Sequence, residues 1–187
     1  MLHTAIAKQN WNEVQKLLKI SYVNVNERDK TLQTPLHTLC TMGQQQLVEA
    51  LVQRNADVNA VDVNNWAPIH CAAANYNLEI VAILLNHPKI NLTLVSKDGT
   101  SMFHYLMRNI VSSDKEKFYY QILAKSKEKG ADIKLMGQHM ESPLHQAVSR
   151  GNVPAIKFLI ENKVNINGQN KYLFQFLYLE KMLTNIL

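Results

Sequence analysis

The sequence predicts an all-α solenoid of about five helix–turn–helix units, with hairpin-like loops between units and an apolar C-terminal helix. Three regularities carry that prediction. An apolar residue followed by histidine recurs at Leu2-His3, Leu36-His37, Ile69-His70, Phe103-His104 and Leu144-His145, with histidine spacings of 34, 33, 34 and 41. Eleven residues after four of these histidines stand Val14, Val48, Val81 and Ile156, each followed at helical spacing by an apolar pair: Leu17-Leu18, Leu51-Val52, Leu84-Leu85 and Leu159-Ile160. That spacing gives one buried stripe per unit. Between units lie Asp57-Val58-Asn59-Ala60, Lys97-Asp98-Gly99-Thr100 and Val164-Asn165-Ile166-Asn167, built from residues that favour turns.

The first unit starts at Met1 and puts Glu13 where later copies have Leu47 or Ile80, a polar position suited to an outer, capping repeat. Trp11 in this unit is expected to pack at its edge. In the second unit Thr34 precedes Pro35. Proline suits a first helical turn because it has no amide to leave unpaired, and threonine is placed to cap the orphan amides. The third unit keeps the proline as Pro68, and the fifth keeps both elements as Ser142-Pro143. The fourth unit lacks the proline and is seven or eight residues longer. Ser113 and Glu116 have capping-box spacing, so its second helix is expected from Asp114 to Gly130, with Phe118 or Tyr119, Ile122 and Leu123 buried. Lys125, Lys127 and Lys129 either form a basic docking patch or remain solvated complements of the helix dipole. Beyond Gly168 the pattern stops. Phe176, Leu179, Leu183 and Leu187 fall along one side of a final helix, beside Tyr178, Met182 and Ile186. An unusual cap, a partner-binding helix and the end of a fragment all fit that tail, and self-association through Leu173 to Leu187 is expected.

Composition narrows the class. The 187 residues are 47% hydrophobic and 19% charged, an ordinary globular balance. The longest aliphatic run, Ile80 to Leu85, is far too short to span a membrane. Two cysteines are too few for a secreted disulfide framework, so an intracellular, cytoplasmic protein is expected. The excess of 20 basic over 15 acidic residues is mild and mixed along the chain, without the basic, aromatic-studded stripe of a nucleic-acid binder. Nineteen Asn and only six Gly are unusual for a chain with this many turns.

Thr34-Pro35-Leu36-His37, with its weaker copies Ala67-Pro68-Ile69-His70, Ser142-Pro143-Leu144-His145 and Ser101-Met102-Phe103-His104, resembles the signature of the ankyrin-repeat family. Asn55-Ala56-Asp57-Val58-Asn59-Ala60 and Gly130-Ala131-Asp132-Ile133 are similar to the family's inter-repeat segment. The resemblance covers about residues 2 to 168. It implies repeats at about 1–33, 34–66, 67–100, 101–141 and 142–168, with 169–187 a degenerate cap or C-terminal helix. It also implies a partner surface made of hairpin tips and the inner faces of the first helices. At the tips that surface comprises Asp62, Asn64, Trp66, Lys97 and Asp98, with Arg28, Asp29, Lys30, His139 and Glu141 beside them. On the inner helices it comprises Thr38, Met42, Cys71, Asn75, Tyr105 and Arg108, with Gln146 and Arg150. Trp66 is either an aromatic anchor for a partner or a brace for a loop that has Asn65 in place of glycine.

No catalytic constellation is visible: there is no phosphate-cradling glycine loop, nucleophile elbow or zinc-protease motif. Five of the seven histidines belong to the repeat, where the resemblance implies structural struts; only His87 and His139 stand outside it. Neither metal nor cofactor is expected. Cys40 is expected to be a small core residue, and one repeat of separation argues against a disulfide with Cys71. The expected function is a non-enzymatic module that binds another protein. The alternatives are a targeting or autoinhibitory segment of a longer signalling enzyme or GTPase regulator, and a substrate adaptor of a ubiquitin ligase.

Overall fold

The structure, a computed structural model, describes residues 1–165, and among these ten α-helices follow one another in five consecutive pairs. The first pair is α1 (Leu2–Ala7) and α2 (Trp11–Leu18); the second is α3 (Pro35–Met42) and α4 (Gln45–Gln53); the third is α5 (Pro68–Ala74) and α6 (Leu78–Asn86). The fourth pair is α7 (Met102–Met107) and α8 (Glu116–Glu128), and the fifth is α9 (Pro143–Arg150) and α10 (Val153–Glu161). A short 3-10 turn, Gln138–Met140, precedes α9. The only β pairing among the described residues is an isolated bridge, Val95 to Ser101. No described helix is long and apolar enough to cross a membrane. The segment from 169 onward, with its expected helix and self-association, lies outside the described residues.

Backbone packing divides the chain into two compact units, Met1–Leu94 and Val95–Leu187. In the first, Leu36, Leu39, Val48, Leu51, Ile69, Val81, Leu84 and Leu85 are fully buried. The expected stripes are therefore present, although Val52 on α4 is only half-buried. In the second unit Phe103, Tyr119, Leu123, Leu144, Ile156 and Leu159 form the core. Phe158 joins it, 6.2 Å from the Phe103 ring and edge-on to Tyr120 at 5.3 Å.

Helix α8 starts at Glu116 rather than Asp114, with Lys115 as its N-cap and no side-chain cap. Ser112 and Asp114 close a turn instead: the Lys115 amide donates to the Ser112 carbonyl, and a Ser112 hydrogen bond lowers the Asp114 pKa. Local Ser/Asp bonding of this kind competes with helix formation, so the box expected from Ser113 and Glu116 does not form. The buried stripe of α8 is Tyr119, Ile122, Leu123 and Ser126, with Phe118 half-buried.

The scarcity of glycine has a visible consequence. Among the described residues eight non-glycines hold left-handed backbone, including Leu32 (φ 61°), Asn55 (φ 60°), Asn65 (φ 59°), His139 (φ 59°) and Met140 (φ 59°). Asparagine tolerates that region; for an ordinary side chain it costs about 1–2 kcal/mol.

Candidate partner-binding surface

Three of the strut histidines, His37, His70 and His104, are fixed at both ring nitrogens. His37 Nδ1 accepts from the Thr34 amide at 3.1 Å, His70 Nδ1 from the Ala67 amide at 3.0 Å, and His145 Nδ1 from the Ser142 amide at 3.1 Å. The opposite nitrogen reaches a carbonyl further along the chain: His37 Nε2 to Trp66 at 2.9 Å, His70 Nε2 to Leu94 at 3.1 Å, His104 Nε2 to Glu141 at 3.2 Å. An Nδ1 that accepts and an Nε2 that donates define the neutral Nε2–H tautomer. The ring thus supplies what a glutamate supplies in a capping box. The hydroxyls of Thr34, Ser101 and Ser142 bond the ring as well, at 2.9, 2.9 and 2.8 Å, within the capping boxes that the sequence suggested, and Ser142 Oγ accepts the His145 amide at 3.4 Å. Burial lowers the pKa of His70 and of His104 to about 4, and lowers that of His37 as well.

These struts hold the hairpin tips. In the first unit Asp29 Oδ1 accepts from the amides of Thr31 (2.8 Å) and Gln33 (2.9 Å), and Asp62 Oδ1 from those of Asn64 (2.8 Å) and Trp66 (2.9 Å). The two tips are tied together by Val63 N to Thr31 O at 3.0 Å and by Arg28 to the Val61 carbonyl at 2.9 Å. Asn64 is exposed at its tip; Trp66 is half-buried, its ring 6.4 Å from that of His70. On the inner helices Thr38 and Met42 are half-buried and Asn75 is exposed.

Four residues expected on the open surface are instead buried, Gln146 (8% exposed) among them. Asp62 is 6% exposed because its carboxylate also accepts from Gln33 and is consumed in closing its own tip. Cys71 is 4% exposed, and burial pushes its thiol up to about 11. Cys40 is fully buried and its thiol is raised further for the same reason, so neither cysteine offers a thiolate nucleophile. Tyr105 is 5% exposed because the guanidinium of Arg108 lies over its ring, 5.0 Å from the centroid.

In the second unit Lys97 and Asp98 are exposed at their tip, where the Ser96 hydroxyl donates to the Asp98 carboxylate. Arg108 Nε donates to Gln146 Oε1 at 2.9 Å, and the Gln146 amide donates to the Glu141 carboxylate. Around them lies a polar cleft of about 200 Å³, lined by Asp98, Thr100, His104, Arg108, Gly137, His139, Glu141 and Gln146. No group of three His, Cys, Asp or Glu side chains is placed to hold a metal among the described residues.

Sequence reasoning missed the residues that join neighbouring repeats. Arg54 donates to the carbonyls of Leu18 (3.2 Å), Ser21 (2.9 Å) and Val23 (3.1 Å) in the preceding repeat. Asn26 accepts from the Asp57 amide at 2.8 Å, and Asn59 accepts from the Asn91 amide at 2.9 Å. The one available signal was the asparagine count itself, together with its recurrence at loop positions 26, 59 and 91.

Comparison with known proteins agrees with this architecture. The model for "Ankyrin repeats (many copies)" matches residues 36–85, and that for "Ankyrin repeat" matches 139–168. Mouse (Mus musculus) rabankyrin-5 is 28% identical over 137 residues, covering 73% of this chain and 11% of that protein. The probable 26S proteasome regulatory subunit p28 of Saccharomyces cerevisiae is 26% identical over 175 residues, 91% of this chain and 73% of that one. A probable serine/threonine-protein kinase of Dictyostelium discoideum is 24% identical over 159 residues, 81% of this chain and 18% of the kinase. The chain thus spans about a tenth of rabankyrin-5 and most of p28. Repeats of this type are in general protein-interaction modules. With signature, paired helices and histidine struts all agreeing with these matches, the chain is an ankyrin-repeat protein.

Proposed function

We propose that the chain is a non-enzymatic module that binds a protein partner with its hairpin tips and the inner helices of its repeats. The observation that carries this reading is the chemistry of the tips. Leu32 is 44% exposed, Val63 38% and Met140 60%, and Leu32 and Met140 also sit on left-handed backbone where glycine would be relaxed. A fold selected for stability alone has no reason to keep exposed apolar side chains on strained backbone; strain of this kind concentrates at functional positions. Beside them, Asn64, Trp66, Lys97, Asp98, Thr38, Met42, Asn75 and Arg108 remain accessible in whole or in part. The buried thiols and the doubly bonded histidine rings support a non-catalytic role. Two free cysteines suit a reducing, cytoplasmic setting.

A second reading is a targeting or autoinhibitory segment within a longer signalling enzyme. It is favoured by the match to the Dictyostelium kinase, of which the matching segment covers 18%. Affinity purification on the immobilised chain, followed by titration of the purified partner, tests the module. Trp66→Ala and Met140→Asp should each weaken that partner at least tenfold, with melting temperature measured in parallel. Unchanged affinity in both variants would remove the tips from the interface.

A further inference from the structure

The positive charge of this protein is not evenly spread. Residues 1–94 carry seven Lys and Arg against seven Asp and Glu, whereas residues 95–165 carry eleven against seven, a net of four positive charges. Within that second unit Arg108 is set apart by how it is held. Its Nε is fixed by Gln146, and its plane lies over the buried Tyr105 ring, so its orientation is established before any ligand arrives. Its two terminal amino groups make no hydrogen bond, and no carboxylate lies within 4.0 Å of it, among the described residues. It lines a cleft that also holds two carboxylates, each oriented by a neutral donor rather than by a cation: Glu141 by the Gln146 amide and Asp98 by the Ser96 hydroxyl. His104 is neutral there, with both nitrogens committed to backbone.

We infer that this cleft receives a carboxylate of an acidic peptide, with Arg108 as the residue that recognises it. The inference rests on the partner-binding reading and gives that partner a chemistry. A guanidinium held by Nε alone presents its terminal N–H groups to a carboxylate, a charge-assisted geometry that an ammonium cannot copy. A volume near 200 Å³ takes an acidic side chain with part of its backbone and excludes a bulky ring system. The surrounding net positive charge steers an acidic segment toward this unit.

Titration of the ¹⁵N-labelled full chain tests the inference, read at the Arg108 Nε–Hε and Gly137 amide NMR signals. The probes are acetyl-(Gly-Glu)₄-amide, acetyl-(Gly-Gln)₄-amide, acetyl-(Gly-Gln)₄ with a free C-terminus, and an eight-nucleotide oligothymidylate. The Glu peptide should move both signals saturably and the amidated Gln peptide should not. A response to the free-terminus peptide would also support the site and would show that a terminal carboxylate suffices. Arg108→Gln should weaken the Glu peptide at least tenfold, and Arg108→Lys, which keeps the charge and loses the fork, several-fold. The Lys127→Gln, Lys129→Gln double variant should bind as wild type. Equal affinity in Arg108→Lys, loss in the lysine pair, no response to any carboxylate, or tighter binding of the oligonucleotide would each overturn the inference. If Arg108→Gln proves poorly folded, the Arg108→Lys and lysine-pair comparisons still decide it. None of these failures touches the tip variants, which test partner binding separately.

Discussion

Asn77 and Asn152 each stand at the N-cap of a second helix, in the third and fifth pairs, yet the two units use them differently. In the first unit Asn77 donates outward to the carbonyls of Cys40 (2.8 Å) and Thr41 (3.3 Å), and joins one repeat to the one before it from a half-buried position. In the second unit Asn152 is 1% exposed and binds three ways. It donates to the Met107 carbonyl at 3.2 Å and bonds the Tyr119 hydroxyl at 3.0 Å, while its oxygen accepts from the Ala155 amide at 3.1 Å. Tyr119 in turn donates to the Leu106 carbonyl at 2.9 Å. The first unit thus relies on peripheral stitches, Arg54, Asn26, Asn59 and Asn77, whereas the second adds a buried polar network beneath α8 to peripheral bonds of its own, Arg108 to Gln146, Tyr120 to Glu161 and Lys127 to Asn162. The buried network is what sets the second unit apart, and the consequences are measurable.

Acidification should produce the largest effect. The folded state holds His70 and His104 as neutral donors with pKa about 4, below the unfolded value near 6.5, so the unfolded chain binds more protons between those limits. Stability is therefore fully present above about pH 6.5 and falls as pH drops toward 4, by roughly 2 kcal/mol per histidine near pH 5. His37 acts in the same direction. Since two of these three rings belong to the first unit, hydrogen exchange near pH 5 should show α3 to α6 losing protection before α7 to α10. The reverse order would break the comparison. Next in size, Asn152→Ala should destabilise by about 2–3 kcal/mol, because it leaves a buried hydroxyl, a carbonyl and a helix amide without their partner. Asn77→Ala should cost only about 1 kcal/mol. Equal losses in chemical denaturation would show that Asn152 is no more central than its counterpart. The smallest expected effect is a gain: Leu32→Gly should stabilise by up to about 1 kcal/mol through relief of left-handed strain, offset in part by unfolded-state entropy. A matching gain for Met140→Gly would place the same device in both units.

Periodicity made the helix pairs legible, because the proline–histidine starts and the apolar pairs report burial directly. Three things escaped the pattern for physical reasons. The start of α8 depended on which of several serines and acids closed a turn, a competition decided by geometry rather than spacing. Asp62 looked like an exposed tip acid, but its carboxylate is used up by amides two and four residues ahead, a local bond that composition cannot display. Cys71 and Tyr105 fall on first helices so short that a small rotation separates the open face from the core. At the candidate site, Arg108 was identifiable as a variable inner residue. Its fixation by Gln146, 38 residues away, was not.

The strut histidines have a further consequence for how the chain is made. Four ring bonds to carbonyls run forward, from His3 to Glu27, His37 to Trp66, His70 to Leu94 and His104 to Glu141, a reach of 24 to 37 residues. The clasp of Arg54 on residues 18 to 23, and that of Asn77 on 40 and 41, run backward. During synthesis at about 5–20 residues per second, a histidine therefore waits roughly one to seven seconds for its acceptor to leave the ribosome. Within each unit a new repeat fastens itself to its predecessor on arrival and, in the same step, completes the ring contact that the predecessor lacked. Assembly on this plan proceeds from the N-terminus by successive closure, and the most recently made repeat is always the one still open to a chaperone.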